Sequence, residues 1–457
     1  MKTSLLFFLS LTLCFAQAQP VYKFTKADNA FLDSLEHDTF RYFWDTANPD
    51  NGLVPDRAPT PSFASIAAVG FGLTSYLVGV ERGYITRSQA ADRTLKTLRF
   101  FAQAPQSDKA TDVSGYKGFF YHFLDMKTGK RFKEVELSTI DTALLLGGVL
   151  SSQTYFDKNT PTETEIRQLA EQIYNRVDWT WIQPRNPFVS MGWHPEKGFI
   201  PADWKGYNEA MLLYVLALGS PSHPVTEAVW PGWTKSYDWA TFQGQTHINF
   251  DPLFGHQYSH VWIDFRGIHD EYTRNKGIDY AENSRRATYA NREYCVKNPA
   301  KWQDYSFTIW GLTACDGPKD TTVANHQFFS YRARGAAIQQ IVDDGTIAPT
   351  AAGGSIPFAP EICLPALQAM KAKYGDKLYG PYGFRDAFNP TYRYRSQFAN
   401  GSTANGWFDI DYLGIDQGPI LLMAENARTG FIWNLMKRNP HIQKGLKRAG
   451  FTGGWLK

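Results

Sequence analysis

Acidic residues interrupt three otherwise apolar segments, each near the start of a predicted helix. They are Glu136 and Asp141, Glu209, and Asp409, Asp411 and Asp416. A carboxylate at a helix start often caps the helix by accepting backbone N–H groups. Asp416, directly before Gln417-Gly418-Pro419, suits that role best. Capping by all of them at once explains the pattern poorly, because neighbouring buried helices bring their starts together. The pattern therefore indicates a carboxylate cluster that could do chemistry.

Aromatic residues crowd the loop that leads into the Glu209 segment. They are Trp179, Trp181, Trp193, Trp204 and Tyr207. Flat rings with polar N–H or O–H groups can stack on sugars and bond to hydroxyls, although some of these rings are expected only to fill the loop core. Glycoside hydrolysis needs a protonated acid for the leaving oxygen and a second carboxylate. Desolvation beside these rings should raise the pKa of Glu209, which is the predicted general acid.

The second carboxylate has two candidates, Asp141 and the Asp409/Asp411 pair. Asp141 lies inside an apolar helix and would need hydrogen-bond donors to stay ionised, for which Ser138, Thr139 and Thr142 are candidates. Carboxyls on different helices across a cavity favour the wider spacing of ~6.5–9.5 Å, which leaves room for a water and gives inversion. We therefore expect an inverting mechanism.

Motifs of several other chemistries are missing from the sequence. There is no G-x-S-x-G elbow, Walker loop or dinucleotide fingerprint. Four histidines fall in one stretch: His247, His256, His260 and His269. His256 and His260 could face a metal on a helix, but no Glu follows His256 as a metalloprotease base. Ordinary hydrogen-bonded or sugar-contacting histidines are the preferred interpretation, and no cofactor or metal is predicted.

The composition is that of a folded globular chain. The 457 residues are 43% hydrophobic, 15% aromatic and 20% charged, which excludes disorder. The net charge is +3, from 47 basic and 44 acidic residues. Without a basic block, neither nucleic acid nor an anionic membrane is an expected partner. No later segment reaches the ~18 apolar residues that span a bilayer, so the chain is not expected to be membrane-embedded.

The N-terminus has the pattern of a secretory signal peptide. Lys2 precedes an apolar run from Leu5 to Phe15, and Ala16-Gln17-Ala18 forms a small-x-small site. We expect residues 1–18 to be removed and the mature protein to be periplasmic or secreted. Cys14 is interpreted as an ordinary residue of the signal core.

Three cysteines remain after the signal: Cys295, Cys315 and Cys363. Export permits a Cys295–Cys315 disulfide, but buried free thiols are the preferred interpretation. Their spacing gives no zinc site.

Two kinds of helical segment alternate along the chain. Almost wholly apolar segments cover residues 62–82, 136–156, 206–219 and 412–427, and amphipathic ones cover 27–46, 86–104, 161–178 and 279–297. An apolar helix must be surrounded by protein, whereas an amphipathic helix faces water on one side. The alternation predicts an all-α fold in one domain, residues 19–457: an (α/α)6 toroid with inner helices wrapped by outer ones. Long aromatic-rich loops and a small hairpin around 118–123 complete it.

Several motifs, in order, resemble one bacterial family. They are residues 52–57 (GLVPDR), 65–73, 136–143 (ELSTIDTA), Asn208-Glu209-Ala210, 310–318 (WGLTACDGP), 382–390 (YGFRDAFNP) and 414–419 (GIDQGP). The chain is similar over residues 27–455 to the glycoamylase-like domain family, glycoside hydrolase family 144, of secreted β-1,2-glucanases.

The resemblance implies an (α/α)6 fold, no metal, inversion, and β-1,2-glucan or sophoro-oligosaccharides as substrate. It assigns the acid role to Glu209, whereas the choice of base stays open. The residues expected to bind the oligosaccharide are Asp56, Arg57, Glu136, Trp193, His194, Trp204, Tyr207, Asn208, Tyr382, Asp409 and Asp411. The alternatives are a glucoamylase-like exo-hydrolase of α-glucans and a non-catalytic oligosaccharide-binding protein.

Overall fold

Helices dominate the computed structural model, which describes residues 22–394 and 401–456. The predicted signal peptide and Cys14 lie outside the described residues. The helices of the described part are α1 (Lys26–Thr46), α2 (Ile66–Glu81), α3 (Arg87–Gln103), α4 (Thr139–Tyr155), α5 (Pro161–Asn175), α6 (Met211–Gly219), α7 (Val229–Thr234), α8 (Tyr258–Trp262), α9 (Glu271–Lys276), α10 (Tyr280–Lys297), α11 (Pro349–Gly353), α12 (Pro360–Tyr374), α13 (Gly414–Thr429), α14 (Phe431–Met436) and α15 (Pro440–Arg448). Two 3₁₀ turns cover Leu253–His256 and Gly375–Lys377.

The predicted contrast between apolar and amphipathic helices is present. Helices α2, α4, α6 and α13 are buried on nearly every side, whereas α1, α3, α5 and α10 bury one face. The buried helices contact one another in the order α2, α4, α6, α8, α13 and back to α2. Two further buried helices, α8 and α11, were not predicted, because five residues are too few to show a helical period.

Glycines let the two central helices α2 and α4 touch through their backbones. A Cβ on Gly148 would lie 2.2 Å from the carbonyl oxygen of Gly70, and a Cβ on Gly70 would lie 2.2 Å from that of Leu144. Any side chain at either position would push the helices apart. The small residues of these apolar segments therefore serve close packing around the interior.

Short antiparallel strands make up more of the protein than the single predicted hairpin. They are β1 (Arg57–Ala58), β2 (Ala64–Ser65), β3 (Gly115–Tyr116), β4 (Phe119–Tyr121), β5 (Phe123–Leu124), β6 (Leu137–Ser138), β7 (Gly192–His194), β8 (Gly198–Phe199), β9 (Trp239–Phe242), β10 (Gln245–Ile248), β11 (Ala314–Cys315), β12 (Thr321–Val323), β13 (His326–Phe328), β14 (Arg332–Ala333), β15 (Gly335–Ala336), β16 (Ile341–Val342), β17 (Tyr379–Gly380), β18 (Gly383–Phe384), β19 (Phe388–Asn389), β20 (Ser402–Thr403), β21 (Gly406–Phe408) and β22 (Tyr412–Leu413). The expected hairpin around 118–123 belongs to a five-stranded sheet, β3–β4–β6–β7–β8. An all-α fold with one small hairpin was therefore too simple a prediction, because strands of two to four residues are too short to show a period of two.

Three of these strands run directly into buried helices: β2 into α2, β6 into α4 and β22 into α13. In the sheet register, Leu137 pairs with Trp193 and Ser138 pairs with Phe120. The strands thus fix the N-terminal ends of the buried helices, where the acidic residues lie.

The three cysteines of the described chain, Cys295, Cys315 and Cys363, are free and buried. The Cys295–Cys315 disulfide that export would permit is therefore not formed. Among the described residues, no helix combines the length and apolar character needed to cross a membrane.

Candidate active site

Glu209 lies in a turn immediately before α6, and its neighbours hold that turn. The Asn208 side chain accepts a hydrogen bond from the Ala210 N–H at 3.0 Å and donates to the Lys205 carbonyl at 3.1 Å. The Ser259 hydroxyl donates to the Glu209 carbonyl at 2.7 Å. Asn208, predicted to bind substrate, thus has a visible role in placing Glu209.

The Glu209 carboxyl is buried, and its hydrogen bonding is incomplete. The residue is 8% exposed, and within the described part of the chain Oε2 has no hydrogen-bond partner. Burial, with a contribution from the negative charge of Asp141, raises the pKa of Glu209 to about 7. A carboxyl that keeps its proton near neutral pH and has an oxygen free is suited to general-acid chemistry.

His122 joins Glu136 and Asp141 beside Glu209. Its Nδ1 lies 2.8 Å from Glu136 Oε1, and its Nε2 lies 3.5 Å from Asp141 Oδ2. Burial opposes the charged imidazole, but the two carboxylates outweigh it and raise the pKa of His122 to about 9. A positive His122 therefore partly neutralises the two acids.

Asp141 occupies the first turn of α4, where Ser138 caps the helix. Its backbone N–H donates to Ser138 Oγ at 3.2 Å, and the Ser138 hydroxyl donates back to the Asp141 carboxylate. Burial raises the pKa of Asp141, although His122 and Ser138 act in the opposite direction. Ser138 is thus the donor that the sequence predicted for Asp141, whereas Thr142 donates to the Ser138 carbonyl.

A second acidic cluster surrounds Arg57. The guanidinium contacts Asp316, lies 3.3 Å from Asp56 Oδ2, and lies 3.9 Å from Asp411 Oδ2. The other Asp411 oxygen accepts the Thr60 N–H at 2.9 Å. Three carboxyl groups thus share one guanidinium.

Asp386 and Asp409 lie deeper in the same cluster. Carboxylate oxygens of Asp316, Asp386 and Asp409 lie within 4.8 Å of one another. Asp386 Oδ1 and Asp409 Oδ2 have no hydrogen-bond partner among the described residues. Burial, together with neighbouring carboxylates, raises the pKa of Asp386 and of Asp409 well above the usual range.

Asp416 belongs to this cluster, so the capping role suggested by its sequence position is wrong. Helix α13 has no side-chain cap. Burial raises the pKa of Asp416 to about 7, although contact with Asp386 acts in the opposite direction. The carboxyl therefore faces other acids.

The two clusters lie at one end of the buried helices. Asp56 is within electrostatic reach of His122 in the first and of Asp316 in the second. Tyr258 is buried within electrostatic reach of Asp416, Glu209 and Asp386, and their charges help burial to raise its pKa well above the usual range. An open cavity of about 430 Å³ adjoins the second cluster. Its lining includes Arg57, Asp316, Tyr331, Trp407, Asp409 and Asp411.

The aromatic residues and the histidine that were predicted to contact sugar lie in different surroundings. Trp193 and His194 are half-buried on β7, beside Glu136. Trp204 and Tyr207 are buried, and the Tyr207 ring packs against Tyr237, Tyr280 and His256. Tyr382 packs against Tyr42 and Tyr412 and does not line the cavity. Half-exposed Trp193 thus offers more ring surface to a sugar than Trp204 or Tyr207.

The histidine stretch serves internal hydrogen bonding. His256 Nε2 lies 3.2 Å from the Phe250 carbonyl, and His260 Nε2 lies 3.1 Å from Ser284 Oγ. Burial lowers the pKa of His260 to about 3, so its ring stays neutral.

Sequence reasoning missed several residues of the site. Asp316 and Asp386 stand inside the motifs 310–318 and 382–390, but neither interrupts an apolar segment. His122 lies in the predicted hairpin and was not singled out. The family motifs were the signal that could have found both aspartates.

We expect Trp204→Ala to destabilise the protein and Trp193→Ala to affect mainly sugar binding. Trp204 is buried, and its Nε1–H donates to Thr139 Oγ1 at 2.9 Å at the start of α4. Its truncation should cost ~3–5 kcal/mol of unfolding free energy. Denaturant unfolding and oligosaccharide binding of both variants check this. Equal stability losses would contradict the assignment.

Carboxyl groups gather near the starts of the buried helices, and an open cavity adjoins part of this group. These features define the class: a helix-rich protein with the acid pairs that glycoside hydrolysis uses. The chain belongs to the Glycoamylase family, since residues 201–440 match the family model described as "Putative glucoamylase". The predicted family membership is confirmed.

Three similar proteins bear on the site. A curated exo-β-1,2-glucooligosaccharide sophorohydrolase (non-reducing end) of Parabacteroides distasonis is 30% identical over 92% of this chain, which spans only 58% of that protein. A solved structure described as a putative glucoamylase of Bacteroides uniformis is 35% identical, with a TM-score of 0.81 over 95% of this chain and 100% of its own. The endo-β-1,2-glucanase of Chitinophaga pinensis, solved with sophorotriose and glucose, is 30% identical, with a TM-score of 0.79 over 94% of this chain and 99% of its own.

Proposed function

We propose that this chain is a glycoside hydrolase that cleaves β-1,2-glucan or sophoro-oligosaccharides with inversion. It is exported by its N-terminal signal and folds residues 19–457 into one (α/α)6 domain. The observation that carries the proposal is the buried Glu209 carboxyl, with one oxygen unpartnered and a pKa raised to about 7 by burial. The β-1,2-glucan activities named for the Parabacteroides and Chitinophaga relatives support the substrate class.

Glu209 acts as the general acid. Its proton passes to the glycosidic oxygen as the bond to the anomeric carbon breaks, which avoids release of a poor alkoxide leaving group. The negative charge of Asp141 helps to keep that proton on Glu209 before the reaction. Asp141 is thus favoured as an electrostatic partner of the acid.

The Asp409/Asp411 pair is the better candidate for the base. Asp409 lines the open cavity, and its Oδ2 has no hydrogen-bond partner among the described residues, whereas Asp141 is already engaged by Ser138 and His122. Asp411 accepts a hydrogen bond from the Thr60 N–H at 2.9 Å and lies 3.9 Å from the Arg57 guanidinium. We assign water activation to Asp411, with Asp409 as an anchor for the water.

A polysaccharide comparison tests the substrate class. The protein should release sophoro-oligosaccharides from linear β-1,2-glucan and leave starch intact. Release of glucose from starch would favour the glucoamylase-like alternative. Tight binding of β-1,2-glucan without product would favour the non-catalytic alternative.

The pH dependence of kcat/KM should have an alkaline limb near the pKa of Glu209. The acid works only when protonated, and burial raises its pKa to about 7. Activity should therefore be retained below that pH and fall about tenfold per pH unit well above it. Initial rates at low substrate concentration, with circular dichroism confirming the fold at each pH, check this. A rate that rises through pH 7 to 9 would contradict a protonated Glu209.

A further inference from the structure

A completely buried ion pair lies beside the cavity, outside the acids proposed for catalysis. Arg334 Nε donates to Asp344 Oδ1 at 2.8 Å and Nη2 donates to Oδ2 at 2.9 Å, and both residues are 0% exposed. Desolvating two charges is costly, and apolar residues often replace such pairs without loss of stability. The other hydrogen bonds of the guanidinium indicate a second role for this pair.

Those donors join two points of the chain that are 14 residues apart, Cys315 and Phe329, together with the residue that follows each. Arg334 Nη1 donates to the carbonyls of Cys315 at 2.7 Å and Asp316 at 3.3 Å. Nη2 donates to the carbonyls of Phe329 and Ser330, each at 3.1 Å. One side chain thus fastens both ends of the segment that carries the β12–β13 hairpin.

Both fastened ends lead into the cavity wall. Asp316 contacts Arg57, and its N–H donates to Asp386 Oδ2 at 2.7 Å. At the other end Tyr331, whose side chain is 54% exposed, lines the cavity. A displacement of either end would therefore change the surface that a sugar chain meets.

Gly317 shows how closely the guanidinium is enclosed. A Cβ at this position would lie 2.1 Å from Arg334 Nη2 and 2.3 Å from the Phe329 carbonyl oxygen. Its backbone is not in the left-handed region. An alanine side chain here would collide with the Arg334 guanidinium and the Phe329 carbonyl, so Gly317→Ala displaces these groups and disturbs their hydrogen bonds while the chain keeps its arginine.

We propose that Arg334 is a positioning residue for substrate binding: by tying both ends of the hairpin segment it holds Asp316 and Tyr331 in the cavity wall. This inference rests on the proposed hydrolysis. Because Glu209 lies on a different element, before α6, and Asp411 is held by the Thr60 N–H, loosening these ties should weaken binding of the sugar chain more than the bond-breaking step.

The test compares Arg334→Lys and Gly317→Ala with the wild type on sophoro-oligosaccharides of defined length. Each variant should raise KM about tenfold or more, with kcat changed less than threefold. Arg87→Lys is the matched control. Arg87 forms a similar paired contact with Glu163 and donates to the Tyr155 carbonyl, away from the cavity, so its KM should not change.

The outcomes separate the two proposals. If the wild type cleaves β-1,2-glucan and Gly317→Ala has an unchanged KM, the positioning role of Arg334 is overturned, whether or not Arg334→Lys folds. A melting temperature that falls in either variant without any change in KM assigns the pair to stability alone. If the wild type cleaves no β-1,2-linked substrate, the proposed function itself fails.

Discussion

Glu209→Gln should lower kcat on β-1,2-glucan by ~10²–10⁴-fold. Glutamine keeps the shape of the side chain but cannot give up a proton to the leaving oxygen. Because the variant removes a carboxyl that is buried without a partner for Oε2, its melting temperature should stay close to that of the wild type. Steady-state kinetics and thermal unfolding measure both quantities.

An activated substrate provides the control for this variant. A dinitrophenyl sophoroside has a leaving group that needs little protonation, so Glu209→Gln should retain far more of its activity on it than on the glucan. Near-wild-type cleavage of the glucan would remove Glu209 from the mechanism. An equal loss on both substrates would assign Glu209 to binding and not to proton donation.

Asp411→Asn should lower kcat by a similar ~10²–10⁴-fold, and sodium azide should restore part of it. Azide is a small anion that attacks without a base, so it replaces the activated water and leaves an α-glycosyl azide. Mass spectrometry and NMR of the products detect this compound. A variant that azide does not rescue would argue against Asp411 as the base.

Asp141→Asn is the comparison that separates the two candidates. If Asp141 acts through the charge that it places beside Glu209, its removal lowers the pKa of Glu209, and the alkaline limb of the pH profile moves to lower pH. Azide should not restore its activity. Rescue of Asp141→Asn by azide would instead transfer the role of base to Asp141.

Helices α1 to α6, α10 and α13 were predictable because their apolar or amphipathic patterns are long, whereas the other helices were not predicted. The observed α4, Thr139–Tyr155, lies within the predicted range 136–156, and α1 begins one residue before its predicted range 27–46. Carboxylates inside apolar segments pointed to Glu209 and Asp141, since a charged group is costly to bury and is therefore unusual in an apolar segment. These signals are local in the sequence.

The second acidic cluster could not be derived in the same way. Asp316 and Asp386 come from loops whose sequence neighbours are polar or small, and only the fold brings their carboxyls together. The surroundings of Tyr207 were not predictable either. Its position before Glu209 suggested a sugar contact, whereas the fold buries its ring against Tyr280 and His256. Residue type and spacing indicate which groups can act, but not which way a loop side chain points.

The most direct test of the proposed mechanism is the anomeric form of the first product. Proton NMR recorded in the first minutes of β-1,2-glucan cleavage, before mutarotation, distinguishes the α- from the β-anomer at the new reducing end. A proton donated by Glu209 and a water activated by Asp411 predict that the α-anomer appears first. Initial release of the β-anomer would show retention and contradict the account.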